Sequence, residues 1–460
     1  MPTTMNDVVS LAKRRGFIFP GSEIYGGLAN TYDFGPLGVE LLRNILNHWW
    51  KYFVTHRSDM FGLDSSILMS PKVWEASGHT ASFTDALIDC KTCRTRTRAD
   101  HLIEDFTEKH GKEEKVEGKS PEELTALVAD YQIPCPTCGG HDWTDVRSFN
   151  LLFETNVGIV EESQSLAYLR GEIAQGMFVN FKNVLNTMRP KLPFGIAQSG
   201  KAFRNEITLG NFVFRTLEFN LAEFEYFFDS EKQSWEELFE VWKKTMQEFA
   251  ESLGLESKNL RWRTHSDEER SHYSTRTEDL DFQFPFGFKE MFGLAYRTDY
   301  DLRNHMEKSG VDLRYTDPYD PQHKFIPHVI EPTFGINRIF LAVLAQNLIT
   351  EGERTYLKLP AKLAPYKVAI FPLVKNKPEL VDKAQEIFQS LQKIAPAVWD
   401  DRGNIGKRYV TQDEIGTPFC VTVDYQTLED GTVTLRDRDT TKQERLSLAE
   451  VEQRVQSMLS

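Results

Sequence analysis

Apolar positions along this chain recur at two periods, and the switches between them mark out its elements. Leu42, Ile45, Leu46, Trp49, Trp50 and Phe53 return every three or four residues behind Gly35-Pro36. That spacing predicts an amphipathic helix with proline in its first turn. Met60–Met69 reads as a strand halted by Ser70-Pro71, because proline cannot donate to a ladder. Trp235, Leu238, Phe239, Trp242, Met246, Phe249 and Leu253 predict a second amphipathic helix over 233–253. Phe203 to Glu223 reads as strand, hairpin loop, strand, and the whole of 149–350 as alternating strands and helices. After Ile349 the pattern breaks, and 351–364 reads as a linker. Beyond it come a strand at 366–374, a helix at 378–394, a strand at 397–400, a helix near 406–414, strands at 418–424 and 432–437, and a helix at 446–459. This alternation predicts a compact α/β domain with a mixed sheet.

Composition narrows the class. With 460 residues the chain is too long for one ordinary core, so two or three domains are expected. Hydrophobic residues at 40% and charged residues at 27% fit a soluble globular enzyme. A net charge of −14 argues against an indiscriminate nucleic-acid binder but allows an RNA partner held by a local basic face. No apolar run approaches membrane-spanning length, and Ile339–Ile349 is broken by Gln346-Asn347. Lys13-Arg14-Arg15 leads into no apolar run, so no secretory signal is expected.

Four of the five cysteines stand as Cys90-Lys-Thr-Cys93 and Cys135-Pro-Thr-Cys138, at the ends of a charged, helix-prone stretch that reads as an insertion over 88–148. Two such knuckles supply four thiolates, the donor set of a closed, structural zinc site. The alternative, a redox pair, needs only one knuckle beside a βαβ unit. Cysteine usage of either kind fits a reducing compartment, and a cytoplasmic location is expected. Gly118-Lys-Ser120 is not a phosphate loop, since position 113 is Glu and no strand precedes it.

The chemistry concentrates in three places. Phe203-Arg-Asn-Glu206, a loop, then Arg215-Thr-Leu-Glu-Phe219-Asn-Leu-Ala-Glu223 sets cations, acceptors and a flat ring on two strands. This stretch resembles the second signature motif of class II aminoacyl-tRNA synthetases. Val329-Ile-Glu331-Pro-Thr333-Phe-Gly335-Ile-Asn337-Arg338, running into an apolar helix, resembles their third motif, with a single Gly335 and with Asn337 where an acid is common. The helix behind Pro36 and the strand ending at Pro71 resemble the first motif, which builds the dimer interface in that family. Arg170-Gly-Glu172-Ile-Ala-Gln-Gly176, His272-Tyr-Ser-Thr275, Lys289-Glu290-Met291, Tyr296-Arg297 and Gln412–Phe419 narrow the likeness to the homodimer-type glycyl-tRNA synthetases. The first of these departs from that pattern at Gly171 and Ile173. The likeness runs over nearly the whole chain.

What the resemblance implies is specific. The fold is α/β (α+β) and multidomain: a class II catalytic core over 1–350 built on an antiparallel sheet and carrying the Cys-x-x-Cys insertion, a linker, and a mixed α/β anticodon-binding domain over 365–460. The activity is ATP-dependent attachment of glycine to its tRNA through a glycyl-adenylate. Partners are glycine, the tRNA and a second copy of the chain, with no membrane. ATP with Mg²⁺ falls to Arg204, Asn205, Glu206, Phe214, Arg215, Phe219, Glu290, Met291, Gly335, Ile336, Asn337 and Arg338. Among these, Arg204 holds the α-phosphate, Arg338 the γ-phosphate, Glu206 the adenine amino group, Phe219 the ring, and Glu290 magnesium or ribose. Glycine falls to Arg98, Glu172, Phe219, Glu223, Arg297, Glu331, Thr333 and Gly335. From its own context Arg98 reads as a surface charge of the first knuckle. The second domain is expected to offer the anticodon a basic cluster of Lys407, Arg408, Arg436 and Arg438. The competing readings are a class II synthetase for another amino acid and an inactive synthetase-like subunit that binds nucleic acid. Retention of Arg204, Arg215 and Arg338 argues against the second.

Overall fold

Alternation along one strand organises the larger half of the molecule. In Glu218–Phe228, residues Ala222, Phe224, Tyr226 and Phe228 point to one side of a sheet, and Leu221, Glu223, Glu225 and Phe227 to the other. All eight are buried, so both sides of the sheet are covered. The structure is a computed structural model that describes residues 3–112, 114, 116, 118–158, 165–206, 210–266 and 274–458.

The sheet has seven strands: β1 (Met60–Gly62), β2 (Phe194–Phe203), β3 (Glu218–Phe228), β4 (Leu260–Thr264), β5 (Arg276–Phe284), β6 (Gly287–Thr298) and β7 (His328–Gly335). Their order is β4-β5-β6-β7-β3-β2-β1, antiparallel throughout except for the edge strand β1 beside β2. Helices α1 (Pro36–Trp50), α2 (Ala174–Met188), α3 (Trp235–Ser252), α4 (Tyr300–Ser309) and α5 (Ile336–Asn347) divide between its faces. The aromatic stripes of α1 and α3 and the apolar run 339–345 of α5 pack with Phe224, Tyr226 and Phe228 in the main core. Helices α2 and α4 pack with Phe194, Ile196 and Phe227 on the opposite face. Burying each such aromatic contributes roughly 2–3 kcal/mol, so the strand's even-numbered face anchors the sheet. Its odd-numbered face carries the acids.

Two expected elements differ. Met60–Met69 is not one strand: Met60–Gly62 joins the main sheet, whereas Leu68–Met69 pairs with Ser165–Leu169. Between them the backbone leaves the ladder, because the Ser65 hydroxyl donates to Gln198 (2.9 Å) and buried Arg170 donates to the Ser65 carbonyl (2.8 Å). The stretch read as a linker is structured. Leu348–Glu351 and Arg354–Leu357 form a hairpin, and Leu357, Leu359, Leu363 and Ala364 join the main core. Asn44 on α1 donates to the carbonyls of Leu363 and Ala364 (3.1 and 3.2 Å). A polar composition concealed four apolar anchors there.

The second sheet holds Ala397–Trp399, Val368–Pro372, Phe419–Val423, Thr432–Asp437 and Gln443–Ser447 in that order, parallel over the first three and antiparallel after, which is the mixed sheet expected. Gln443–Ser447 and the short helix Tyr425–Asp430 were not legible from the sequence pattern. The expected basic cluster is overturned. Strand alternation does put Arg436 and Arg438 on one face, but that face points inward. Arg436 pairs with buried Asp413 (2.7 Å), and Arg438 donates to the carbonyls of Gly416 and Leu359 (2.7 and 2.9 Å). Arg408 is also buried and donates to the carbonyls of Pro372, Arg402 and Gly403. These three arginines bond the domain internally, and Lys407 alone of the four is exposed.

The insertion has its own small core of Ile88, Ala99, Ile103, Leu124, Val128, Ile133 and Val146. It is built from strands Thr84–Asp89, Arg96–Arg98 and Arg147–Asn150 with helices Ala99–Lys109 and Pro121–Asp130. Ser120 caps the second helix reciprocally with Glu123, so Gly118-Lys-Ser120 is a helix start.

Candidate active site

A cavity of about 270 Å³ opens on the odd-numbered face of β3, and its two ends differ in chemistry. One end is acidic. Register sets Glu223 opposite Thr333 on β7, with Gly293 of β6 on Thr333's other side. Thr333 donates to Glu223 Oε1 (2.5 Å), while Glu223 Oε2 is buried with no partner among the described residues, and Glu223 lines the cavity. Glu331 also lines the cavity and is held from behind by Arg297 (2.7 Å). Arg297 does not reach the cavity itself; it is buried against Glu331 and, through Nε, Asp301 (2.8 Å). Glu172 enters from the turn before α2, held by His79 (3.2 Å) and Gln175 (2.9 Å).

These acids do not share one protonation behaviour. Burial works against an ionised Glu172, but His79, Arg297 and Gln175 more than offset it and hold its carboxyl well below the usual carboxylate range. Glu223 goes the other way: burial first, then the charges of Glu331 and Glu172, push it well up. Burial raises Glu331 as well, in spite of Arg297. An acceptor array that is desolvated and short of cations is suited to a compact cation.

The other end is basic. Arg204, Arg215 and Arg338 all line it, each held by a local partner. Arg204 donates to the Gly171 carbonyl (3.0 Å) and stands over the rings of Phe83 and Phe219. Arg215 pairs with Glu206 (2.8 Å). Arg338 pairs with Glu290 (3.0 Å), and its guanidinium lies 4.5 Å above the centre of the Phe214 ring. Desolvation works to raise Glu290, and the charge and hydrogen bond of Arg338 together with the charge of Arg204 more than offset it, leaving the carboxyl below its usual value. A Cβ at Gly335 would lie 3.1 Å from Arg338 Cδ and from the Met291 carbonyl, so a side chain there crowds the arginine.

Thirteen residues expected at the site line this one cavity, namely Glu172, Arg204, Glu206, Phe214, Arg215, Phe219, Glu223, Glu290, Glu331, Thr333, Gly335, Asn337 and Arg338. Asn205, Met291, Ile336, Arg98 and Arg297 do not. Met291 and Ile336 are buried in the main core. Asn205 bonds the Leu151 carbonyl through its backbone (2.8 Å). Arg98 is tied to Asp85 (2.9 Å) and Asp100, at a place where the Glu206 charge still acts on it. Arg204 and Glu206 reach the cavity by another route than the alternation expected, because strand β2 ends at Phe203. Expected His272 and Tyr273 lie outside the described residues.

Sequence reasoning missed Glu225, His265 and Asp279. Asp279 lines the cavity on β5 and bonds His265 (2.7 Å). Burial and then the Glu290 charge push Asp279 up. Glu225 was detectable, since it follows Glu223 by two along a strand. Asp279 carried no signal, since only the β5–β6 pairing brings it here.

The four knuckle cysteines converge too. Cys90 and Cys138 lie 3.7 Å apart at sulfur, and Cys93 and Cys135 3.6 Å. A tetrahedron with Zn–S bonds of about 2.3 Å has an edge of about 3.8 Å, so the thiols fit a zinc ion. The two turns repeat one another: Arg94 N donates to Cys90 O and Gly139 N to Cys135 O, both at 2.8 Å, with Arg94 and Gly139 left-handed.

Comparison with known proteins agrees with this layout. Residues 159–347 match the tRNA synthetase class II core domain (G, H, P, S and T), 113–151 the glycyl-tRNA synthetase insertion domain 1, and 367–458 the anticodon binding domain. A glycine–tRNA ligase from Caldanaerobacter subterraneus is 50% identical over 99% of this chain and 98% of its own length. Another from Geobacillus thermodenitrificans is 51% identical over 98% and 97%, and one from Clostridium tetani 50% identical over 97% of each.

Proposed function

The chain belongs to the glycine–tRNA ligase family, and on that premise we propose that this cavity forms glycyl-adenylate, its acid end holding the glycine ammonium and its arginine end the ATP phosphates. The protein is a ligase that joins glycine to tRNA. The observation that carries the site assignment is the pairing of Glu223, its second oxygen free, with three arginines across one small cavity.

Glycine offers no side chain, so recognition rests on its two charged groups. Glu172, Glu223 and Glu331 accept from the ammonium, with Thr333 fixing the Glu223 carboxylate. The glycine carboxylate then attacks the α-phosphorus of ATP in line, and pyrophosphate leaves. Arg204 neutralises the α-phosphate and Arg338 the γ-phosphate, while Phe219 stacks on adenine and Glu206 reads its amino group. Magnesium, when bound, neutralises charge on the phosphates; Asp279 and Glu290 would hold it, and their mutual repulsion is the kind of strain a cation relieves. A terminal ribose hydroxyl of the tRNA then attacks the carbonyl and AMP leaves. Positioning and charge neutralisation supply most of the rate. No amino acid is smaller than glycine, so crowding alone gives discrimination.

Pyrophosphate exchange should therefore respond to glycine and stay at background with alanine or serine. Exchange with either at a comparable rate would defeat the assignment. Acidification should weaken glycine selectively. Glu223 must be ionised to accept from an ammonium, and its raised carboxyl takes up a proton at a higher pH than an ordinary Glu. The KM for glycine should climb as pH falls, beginning at a higher pH than an ordinary Glu would set, with the KM for ATP changing less because the guanidinium groups that hold its phosphates do not titrate.

Zinc in the insertion should be found at close to one per chain, and Cys90→Ser with Cys138→Ser should lower metal content and thermal stability together. Metal-free protein with all four thiols freely titratable would refute a structural zinc. In the second domain, exposed Lys407 is the remaining basic contact for the tRNA. Lys407→Glu should raise the KM for tRNA and leave exchange unchanged; unchanged charging kinetics would remove it from the tRNA surface. A second copy of the chain is the natural cover for exposed Ile24, Tyr25 and Leu28, and a monomeric mass in solution would exclude it. Among the described residues no helix is long and apolar enough to cross a membrane. The thiols of the knuckles favour the reducing cytoplasm.

A further inference from the structure

Beneath the acid end lies a carboxylate that the reaction, as described, does not use. Glu225 follows Glu223 on β3 and is completely buried. Neither of its oxygens has a hydrogen-bond partner among the described residues. One carboxylate oxygen from each of Glu223, Glu225 and Glu331 lies within 4.8 Å of the other two. Glu225 does not line the cavity, so no substrate atom meets it directly.

The charge count at this place is one-sided. Around Glu225 stand Glu223 on its own strand, Glu331 on β7, Arg297 on β6 and Asp301 on α4. Arg297 is the single cation of that group and is already engaged by Asp301 and Glu331. Two further negative charges, on Glu223 and Glu225, cannot both persist out of water beside it, and a buried ionised carboxylate without donors is the costliest arrangement available to a protein. A proton on one acid removes the repulsion and turns an acceptor into a donor. Glu225 is the acid with the strongest claim to it. Glu331 has Arg297 and Glu223 has Thr333, whereas Glu225 has no hydrogen-bond partner among the described residues.

We propose that Glu225 is a positioning residue for the glycine ammonium site: it keeps its proton and donates a hydrogen bond to a neighbouring carboxylate of Glu223 or Glu331, fixing that carboxylate as an ammonium acceptor. Burial and the charge of Glu331 both favour the neutral acid, in agreement with this placement. The result is an array of ionised acceptors at the cavity wall backed by a neutral donor one layer deeper. Glycine would meet carboxylates whose orientation is set before it arrives. The inference rests on the reading of Glu223 and Glu331 as ammonium acceptors.

The test compares Glu225→Gln with Glu225→Leu in glycine-dependent pyrophosphate exchange. Glutamine is always neutral and always a donor, so Glu225→Gln should keep the KM for glycine within about twofold of wild type, whereas Glu225→Leu should raise it at least about tenfold, with the KM for ATP little changed in both. An infrared difference spectrum of wild type against Glu225→Gln should show the carbonyl band of a protonated carboxylic acid in the wild type alone. This readout does not depend on the leucine variant folding. A tenfold rise in Glu225→Gln would mean that an ionised Glu225 is needed and would overturn the proposal, as would the absence of that band. A wild-type KM in folded Glu225→Leu would overturn it as well. Glu223→Gln is the control for the underlying reading: if it leaves the KM for glycine unchanged, the ammonium assignment falls and the role of Glu225 falls with it.

Discussion

Arg338→Ala and Arg204→Ala are each expected to lower glycine-dependent pyrophosphate exchange by about a hundredfold or more, equivalent to roughly 3 kcal/mol of transition-state stabilisation. The protein should melt as the wild type does. Both guanidinium groups sit at the mouth of the cavity and not in the core. Arg338 leaves behind Glu290, whose side chain is already 46% exposed and can turn to water. Arg204 leaves the Gly171 carbonyl and the faces of Phe83 and Phe219, none of which is a buried charge. The loss should therefore appear in kcat more than in stability, because negative charge on the transferring phosphoryl group grows only as the reaction proceeds. Lysine at either position should rescue in part, since it restores charge without the planar fork. Near-normal exchange in either alanine variant would remove the phosphate assignments altogether.

Arg297→Met should behave in the opposite way, unfolding the protein at lower denaturant concentration by about 3–5 kcal/mol as well as weakening glycine. Arg297 is 1% exposed and donates from Nε and Nη2 to Asp301 and from Nη1 to Glu331, both of which are themselves buried. Methionine fills much of the volume and supplies none of the charge, so two carboxylates would be stranded out of water. They would respond by taking up protons, and protonated Glu331 is no longer an ammonium acceptor. Stability and glycine affinity should thus fall together. Lower pH should recover part of the stability and none of the affinity, since protonation relieves the stranded charges but abolishes the acceptor. An unfolding midpoint equal to the wild type's would show that the Arg297 bridge is not what holds this face of the sheet. The Arg204 and Arg297 variants together separate two roles that look alike in the sequence, where both are arginines near an acid.

Much of the site was legible from the chain because its chemistry is packed into short segments. Arg204, Glu206, Arg215, Phe219 and Glu223 lie within twenty residues, and Glu331 to Arg338 form another run. The second run reads correctly as a strand leading into a helix, whereas Arg204, Glu206 and Arg215 of the first stand outside the two strands that flank them, yet both runs deliver side chains to the same cavity. The Cys-x-x-Cys pairs were legible for a similar reason, since four-residue turns fix thiol geometry locally. Local periodicity also located the core helices, because burial on one face of a helix leaves its imprint every three or four residues.

What failed depended on partners distant in sequence. Arg408, Arg436 and Arg438 have the spacing of a basic surface, yet the fold turns them onto Asp413 and a set of backbone carbonyls. The linker reading failed because Leu357, Leu359, Leu363 and Ala364 meet their core only after the hairpin folds back. Met60–Met69 was broken by Ser65, whose partners Arg170 and Gln198 lie a hundred or more residues away. Asp279 joins the site only through strand register, and Glu225 becomes the odd proton only when β3, β6 and β7 lie side by side. The sequence by itself determined which chemical groups this protein owns and, through local periodicity, which segments carry them. The tertiary structure decided which of those groups are dry and which charges face one another. Both depend on contacts between strands far apart in the chain, and desolvation and Coulomb repulsion have no local signature.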